Sequence, residues 1–75
     1  MYRYRNLNGN SNVIAYDIGD DYVDVMFSGG SVYRYSYSSA GDADIERMKQ
    51  LAAQGYGLNS FIMKHCRYNY EPKRR

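Results

Sequence analysis

The run from Tyr22 to Tyr35 constrains the fold most, because Ser28-Gly29-Gly30 interrupts two stretches of period-two alternation. In Tyr22-Val23-Asp24-Val25-Met26-Phe27 the apolar Val23, Val25 and Phe27 share a face, and in Val32-Tyr33-Arg34-Tyr35 the two tyrosines do. Such alternation marks half-buried strands. The loop length then decides which residues meet. A two-residue Gly-Gly turn sets Val25 opposite Arg34 and buries a charge. A three-residue Ser28-Gly29-Gly30 loop with a left-handed glycine sets Val25 opposite Tyr33, Val23 opposite Tyr35 and Asp24 opposite Arg34. A one-residue slip turns every side chain to the wrong face, so the second register is the expected one.

The remaining elements follow in order. Asn12 to Asp17 reads as a strand with Ile14 and Tyr16 on one face, and Gly19-Asp20-Asp21 as the turn after it. The strand through Tyr33 and Tyr35 extends as far as Tyr37. Ser38-Ser39-Ala40-Gly41 is then a loop ending at Asp42, the expected N-cap, with Asp44 and Glu46 in the first helical turn. Ile45, Met48, Leu51 and Ala52 recur at helical spacing until Gly55 and Gly57 stop the helix. A second helix carries Leu58, Phe61, Ile62 and His65 on one stripe, and Pro72 ends ordered structure. The expected fold is α+β: a three-stranded antiparallel meander covered by two C-terminal helices. Val25, Phe27, Tyr35, Leu51, Phe61 and Ile62 form its core. Residues 1–10 are an N-terminal arm that either adds an edge strand or stays loose, 11–70 are the domain, and 71–75 are a basic tail.

A chain of 75 residues makes one small domain that buries about 60% of its unfolded surface. Its single cysteine, Cys66, forms no internal disulfide, and with the single His65 it cannot complete a tetrahedral metal site. No metal and no cofactor is expected. An unstapled chain fits a reducing cytoplasm. No apolar run approaches the roughly 20 residues that span a bilayer, and the polar start does not read as a signal peptide. A cytoplasmic protein with no membrane partner is expected. Catalysis is not: there is no phosphate-cradling loop or nucleophile elbow, and adjacent helical residues such as His65 and Cys66 point about 100° apart.

Binding is the remaining class. Ten of the twelve aromatic residues are tyrosine, whose ring is apolar and whose tip is polar. They serve either as half-buried packing in a thin core or as a stacking and docking surface. The net charge is only +2, yet Arg3 and Arg5 open the chain, Lys64, Arg67, Lys73, Arg74 and Arg75 close it, and seven carboxylates lie between residues 17 and 46. Two partners fit. Nucleic acid, RNA above all, would meet phosphate contacts from Arg3, Arg5, Arg67, Lys73, Arg74 and Arg75 and base stacking from Tyr2, Tyr4, Tyr68 and Tyr70. A host protein or protein–nucleic-acid complex, bound or inhibited by a phage or mobile-element accessory, would meet the same Tyr/Arg surface. The chain itself is expected as a monomer or weak homo-oligomer.

The order Ile14-Ala15-Tyr16-Asp17, Val23-Asp24-Val25-Met26-Phe27, Gly30 and Val32-Tyr33-Arg34-Tyr35, followed by Gly55, Leu58, Asn59 and Ile62, resembles the KTSC domain. That family is named for the carboxyl terminus of some lysyl-tRNA synthetases. The likeness covers roughly residues 11 to 68. Tyr33 and Tyr35 match the family's Tyr-x-Tyr, with Arg34 between them, and Asn59 its post-helix asparagine; Ser38-Ser39 departs from its usual Val-Pro. The resemblance implies a small α+β module, found alone in bacterial and phage proteins or as an appendage, with RNA as the suggested ligand.

Overall fold

Glycine chemistry at the hairpin sets the sheet. In the computed structural model, which describes residues 1–7, 9 and 11–71, Gly29 and Gly30 have φ of 100° and 92°, values that side chains with a Cβ rarely adopt. They let Gly30 N–H donate to Phe27 O and Phe27 N–H donate to Ser31 O, both at 2.9 Å, which leaves Ser28-Gly29-Gly30 as a three-residue loop. The flanking strands are β3 (Tyr22–Phe27) and β4 (Val32–Ser36). They pair Val23 with Tyr35, Asp24 with Arg34 and Val25 with Tyr33, the register expected from side-chain faces.

Among the described residues the sheet has four antiparallel strands rather than the expected three, in the meander order β1-β2-β3-β4. The added strand is β1 (Tyr2–Arg3), which pairs Tyr2 with Tyr16 and Arg3 with Ala15 on β2 (Val13–Ile18). A bulge between Val13 and Ala15 interrupts β2 and corrects the expected alternation. One extra residue there reverses the facing, so Val13 is 2% exposed in the core while Ile14 is 43% exposed.

Among the described residues the helical part is three segments rather than two. Tyr37 does not continue β4: Ser36 and Ser39 form a reciprocal cap, each backbone N–H meeting the other's hydroxyl, and start the one-turn α1 (Tyr37–Ala40). Gly41, not Asp42, is then the N-cap of α2 (Asp42–Gln54), whose first turn carries Asp42 and Asp44. Ile45, Met48, Leu51 and Ala52 are its buried stripe, as the spacing predicts. Gly55 closes α2 in the left-handed conformation, and a Cβ there would also press on Arg5 Cβ at 2.8 Å. The third segment, α3 (Leu58–Phe61), runs on as a π turn, Ile62–Cys66.

That wider turn corrects the second helical stripe. The seam facing the core is Leu58, Ile62 and Cys66, each 0% exposed, because the π turn's slower rotation brings the i+8 residue into line instead of the i+7. His65 is therefore outside, its ring 4.6 Å from that of Phe61. Phe27 and Phe61 are half-buried and pack against the core from its rim, whereas Val25, Tyr35, Leu51 and Ile62 lie within it. Truncating a sealed side chain leaves a void, while a rim ring can be replaced in part by water. Ile62→Ala should thus cost about 2–5 kcal/mol, a large share of such a domain's stability, and Phe61→Ala clearly less. Chemical denaturation of the two variants measures the order; the reverse order would mean that Phe61, not Ile62, seals the layer.

Candidate nucleic-acid interface

Five of the twelve aromatic residues collect into a groove where the β3–β4 end of the sheet meets the last helical turn. Phe27, Tyr33 and Tyr35 come from the sheet, Met63 and Arg67 from the π turn and its end, and Tyr68 and Tyr70 from the segment after it; the space between them is about 330 Å³. Phe27 and Tyr33 meet edge to face at 5.8 Å, and Tyr70 lies tilted on Tyr33 at 4.7 Å. Tyr68 is 75% exposed, with the Arg67 guanidinium 5.6 Å from its ring centre. Lys64 and His65 are exposed on the same π turn.

Asn69 N–H donates to Cys66 O at 2.9 Å, turning the chain back, and Glu71 N–H donates to Arg34 O at 2.7 Å. Residues 69–71 therefore lie along the outer edge of β4. The side chain of Arg34 points to the opposite, uncovered sheet face. There it grips Asp24 with two hydrogen bonds, 2.7 and 3.0 Å, and lies 3.9 Å over the Tyr22 ring. The Asp24 hydrogen bond holds the guanidinium in its charged form.

The candidate residues at the two ends of the chain do not converge. Strand order puts β1 and β4 on opposite edges, so Tyr2, Arg3, Tyr4 and Arg5 are apart from Arg67, Tyr68 and Tyr70. Tyr4 was expected at the surface but is 3% exposed: its ring is in the core and its hydroxyl accepts from Leu58 N–H at 3.3 Å. Burial pushes its phenol up from the usual 10.0, and the Leu58 amide partly offsets that. The Arg5 guanidinium donates to Ala53 O and Gln54 O, and Leu7 N–H donates to Gly55 O, so this stretch closes the carbonyl end of α2. Arg3 and Arg5 border a separate polar hollow of about 270 Å³ with Asn6 and Ser11. Tyr2 is 69% exposed, its ring 5.9 Å from Tyr16. Asn59 lines a smaller hollow of about 70 Å³ with Tyr4 and Tyr56. Lys73, Arg74 and Arg75 lie outside the described residues.

Phe27 and Met63 are groove residues that sequence reasoning missed; Tyr33 and Tyr35, singled out for the family's Tyr-x-Tyr but turned inward by the alternation, line the groove as well. The signal for Phe27 was position: it lies beside the hairpin, where the covering layer ends. Cys66 shows no nucleophile geometry. Its thiol faces inward and donates to Asp44 Oδ2 at 3.4 Å, while His65 is on the outside. Among the described residues no three His, Cys, Asp or Glu are grouped to hold a metal ion, and no helix is long and apolar enough to cross a membrane. Comparison with protein-family models, with curated proteins and with solved structures found no match.

Three core groups, Tyr4, Tyr35 and Cys66, hold their protons more tightly in the fold, and Cys66 and Tyr35 carry the larger shifts. Burial first, then the Asp44 hydrogen bond, pushes the Cys66 thiol up from 9.0 to about 12, and burial chiefly pushes the Tyr35 phenol from 10.0 to about 12. Both hold their protons more tightly folded than unfolded. The stability they contribute is complete below 9.0 and is lost as pH rises toward 12. Melting temperature should fall through that window, and Cys66→Ala, whatever its starting level, should delay the fall toward the tyrosine range. Parallel curves for parent and variant would show that the thiol is not the group titrating.

Proposed function

We propose that this chain is a small non-catalytic module that binds single-stranded nucleic acid, RNA above all, by stacking bases in the groove between β4 and the π turn. The observation that carries the reading is the wall of Tyr33, Tyr68 and Tyr70 with Arg67 at its rim. Aromatic faces accept any base, each stacked base contributing about 1–3 kcal/mol, and a neighbouring guanidinium adds both cation–π attraction and a phosphate contact. Lys64 lies on the same turn, and Lys73, Arg74 and Arg75 follow Glu71 closely in sequence. The KTSC resemblance of Tyr33, Tyr35 and Asn59 belongs to the same reading, as does a reducing cytoplasm for the unpaired Cys66.

A second reading, docking on a host protein through the same surface, is favoured by one observation. Arg5 is committed to the end of α2 and Arg3 is on the far edge, which leaves fewer cations to meet phosphate. Salt separates the two, because counterion release gives nucleic-acid binding a steep log–log dependence that an aromatic protein interface lacks.

Titration of a labelled single-stranded RNA at several salt concentrations tests the proposal. Tyr68→Ala should weaken binding by about 1–3 kcal/mol at unchanged salt slope. Arg67→Ala should instead lower the slope by about one counterion. Affinity no tighter than about 10⁻⁴ M near physiological salt, with no effect of either change, would turn the assignment to the protein partner.

A further inference from the structure

The polar hollow beside β1 is one-sided in charge. Arg3, Arg5, Asn6 and Ser11 border its 270 Å³ or so. Among the described residues no carboxylate lines it, and none is within ion-pair distance of either arginine. Two guanidiniums two residues apart thus share one space with nothing of opposite sign between them, and like charges so placed repel.

Its hydrogen-bonding capacity is one-sided as well. Asn6 Oδ1 accepts from Ser11 N–H at 3.1 Å, which leaves the two amide protons of Asn6 to donate. Ser11 Oγ accepts from Val13 N–H at 3.1 Å and keeps its own hydroxyl proton. Arg5 uses Nη2 on Ala53 O and Gln54 O, so those carbonyls fix the guanidinium while Nε and Nη1 keep their protons. Arg3 is exposed and has no hydrogen-bond partner among the described residues. Asn6 is itself held at φ 54° by a turn in which Gly9 N–H donates to its carbonyl at 2.9 Å. The local bonds therefore consume acceptors and leave donors and positive charge.

We propose that this hollow binds a phosphate monoester through Arg3, Arg5, Asn6 and Ser11. A monoester carries about two negative charges near neutral pH and three terminal oxygens that accept strongly. Two guanidiniums, an amide and a hydroxyl offer more donors than the two oxygens of a carboxylate can take. A smaller hollow shares the Asn6 and Ser11 walls and adds Asn59 and Ser60, so hydroxyls of a sugar borne by the phosphate find polar partners beside it. The site does not depend on the nucleic-acid reading of the groove, because strand order sets β1 at the opposite edge of the sheet from β4. The monoester belongs either to a small sugar phosphate or to the 5′ end of an RNA strand, whose internal diesters carry one charge each.

The backbone amide NMR signals of Asn6 and Ser11 report on the hollow. They are followed as ribose 5-phosphate, inorganic phosphate, or a heptanucleotide RNA bearing a 5′-phosphate or a 5′-hydroxyl is added, with sodium chloride at matched ionic strength as the reference. Ribose 5-phosphate and inorganic phosphate should shift both signals saturably, and chloride should not. Arg3→Gln, at an exposed position whose melting curve confirms the fold, should weaken binding by roughly tenfold or more. Arg47→Gln removes the same charge from α2, outside the hollow, and should bind as the parent does. Shifts with the 5′-phosphorylated strand and none with the 5′-hydroxyl strand would assign the monoester to RNA ends; a preference for ribose 5-phosphate over that strand would assign it to a small molecule. Equal shifts with both strands would make the ligand a backbone diester and overturn the monoester. No saturable shift with any phosphate compound, the same shifts with chloride, or equal weakening by Arg3→Gln and Arg47→Gln would overturn the site.

Discussion

A single hydrogen bond between residues 54 apart in sequence, Leu58 N–H to Tyr4 Oη, is the constraint on which the arrangement depends. The first amides of any helix lack partners within it. In α3 the preceding Gly57 offers no side chain to satisfy them, and the Tyr4 hydroxyl reaches Leu58 instead. The ring behind that hydroxyl packs into the core, so the bond fixes both the start of α3 and the position of the first strand against it. From that fixed point, the helix and its π turn run across the sheet to deliver Arg67 and Tyr68 beside β4. Arg5 and Leu7 complete the attachment at the neighbouring end of α2. The opening residues of the chain therefore hold in place a groove to which they contribute no wall.

What could be read beforehand was what short-range periodicity encodes. The β3–β4 register followed from faces and loop length alone, since a one-residue slip among Val23, Val25, Arg34 and Tyr35 buries a charge and the loop length excludes a longer one. The stripe Ile45, Met48, Leu51, Ala52 was equally legible, because α2 is a regular helix with one covered side. The misreadings fall where a local pattern has two physical solutions. Ser36 to Ser39 suits a polar loop or a capping box, and only the backbone conformation chooses. Val13 to Tyr16 alternates plausibly on either face until a bulge decides. Tyr2 and Tyr4 alternate with arginines in a way that fits a loose arm or an edge strand, and the choice rests on contacts more than fifty residues away.

The candidate site shows the same division. Arg67, Tyr68 and Tyr70 could be singled out because tyrosines beside a cation remote from the acidic middle of the chain can be seen in the sequence. Grouping them with Arg3 and Arg5 could not be tested without the topology, since a meander sends its first and last strands to opposite edges. Charge balance alone says nothing about which cations are engaged. Arg5 looks as available as Arg67 in the sequence, yet it closes a helix end while Arg67 flanks a tyrosine.

The π turn at Ile62–Cys66 carries a consequence for how this chain can vary. A π turn is an α-helix carrying one inserted residue, and removing any residue of the insert restores α geometry. Upstream of the deletion nothing need change. Downstream, the side chains keep their phase, because the residue eight places after Leu58 becomes the seventh and falls on the same stripe. Loss of a single residue within this five-residue stretch would then leave Cys66 facing the core and the Arg67–Tyr68 pair beside the groove, whereas a deletion in the regular helical turn before it would swing that pair away by about 100°. The turn is slack in the chain, a place where length can change without changing the surface.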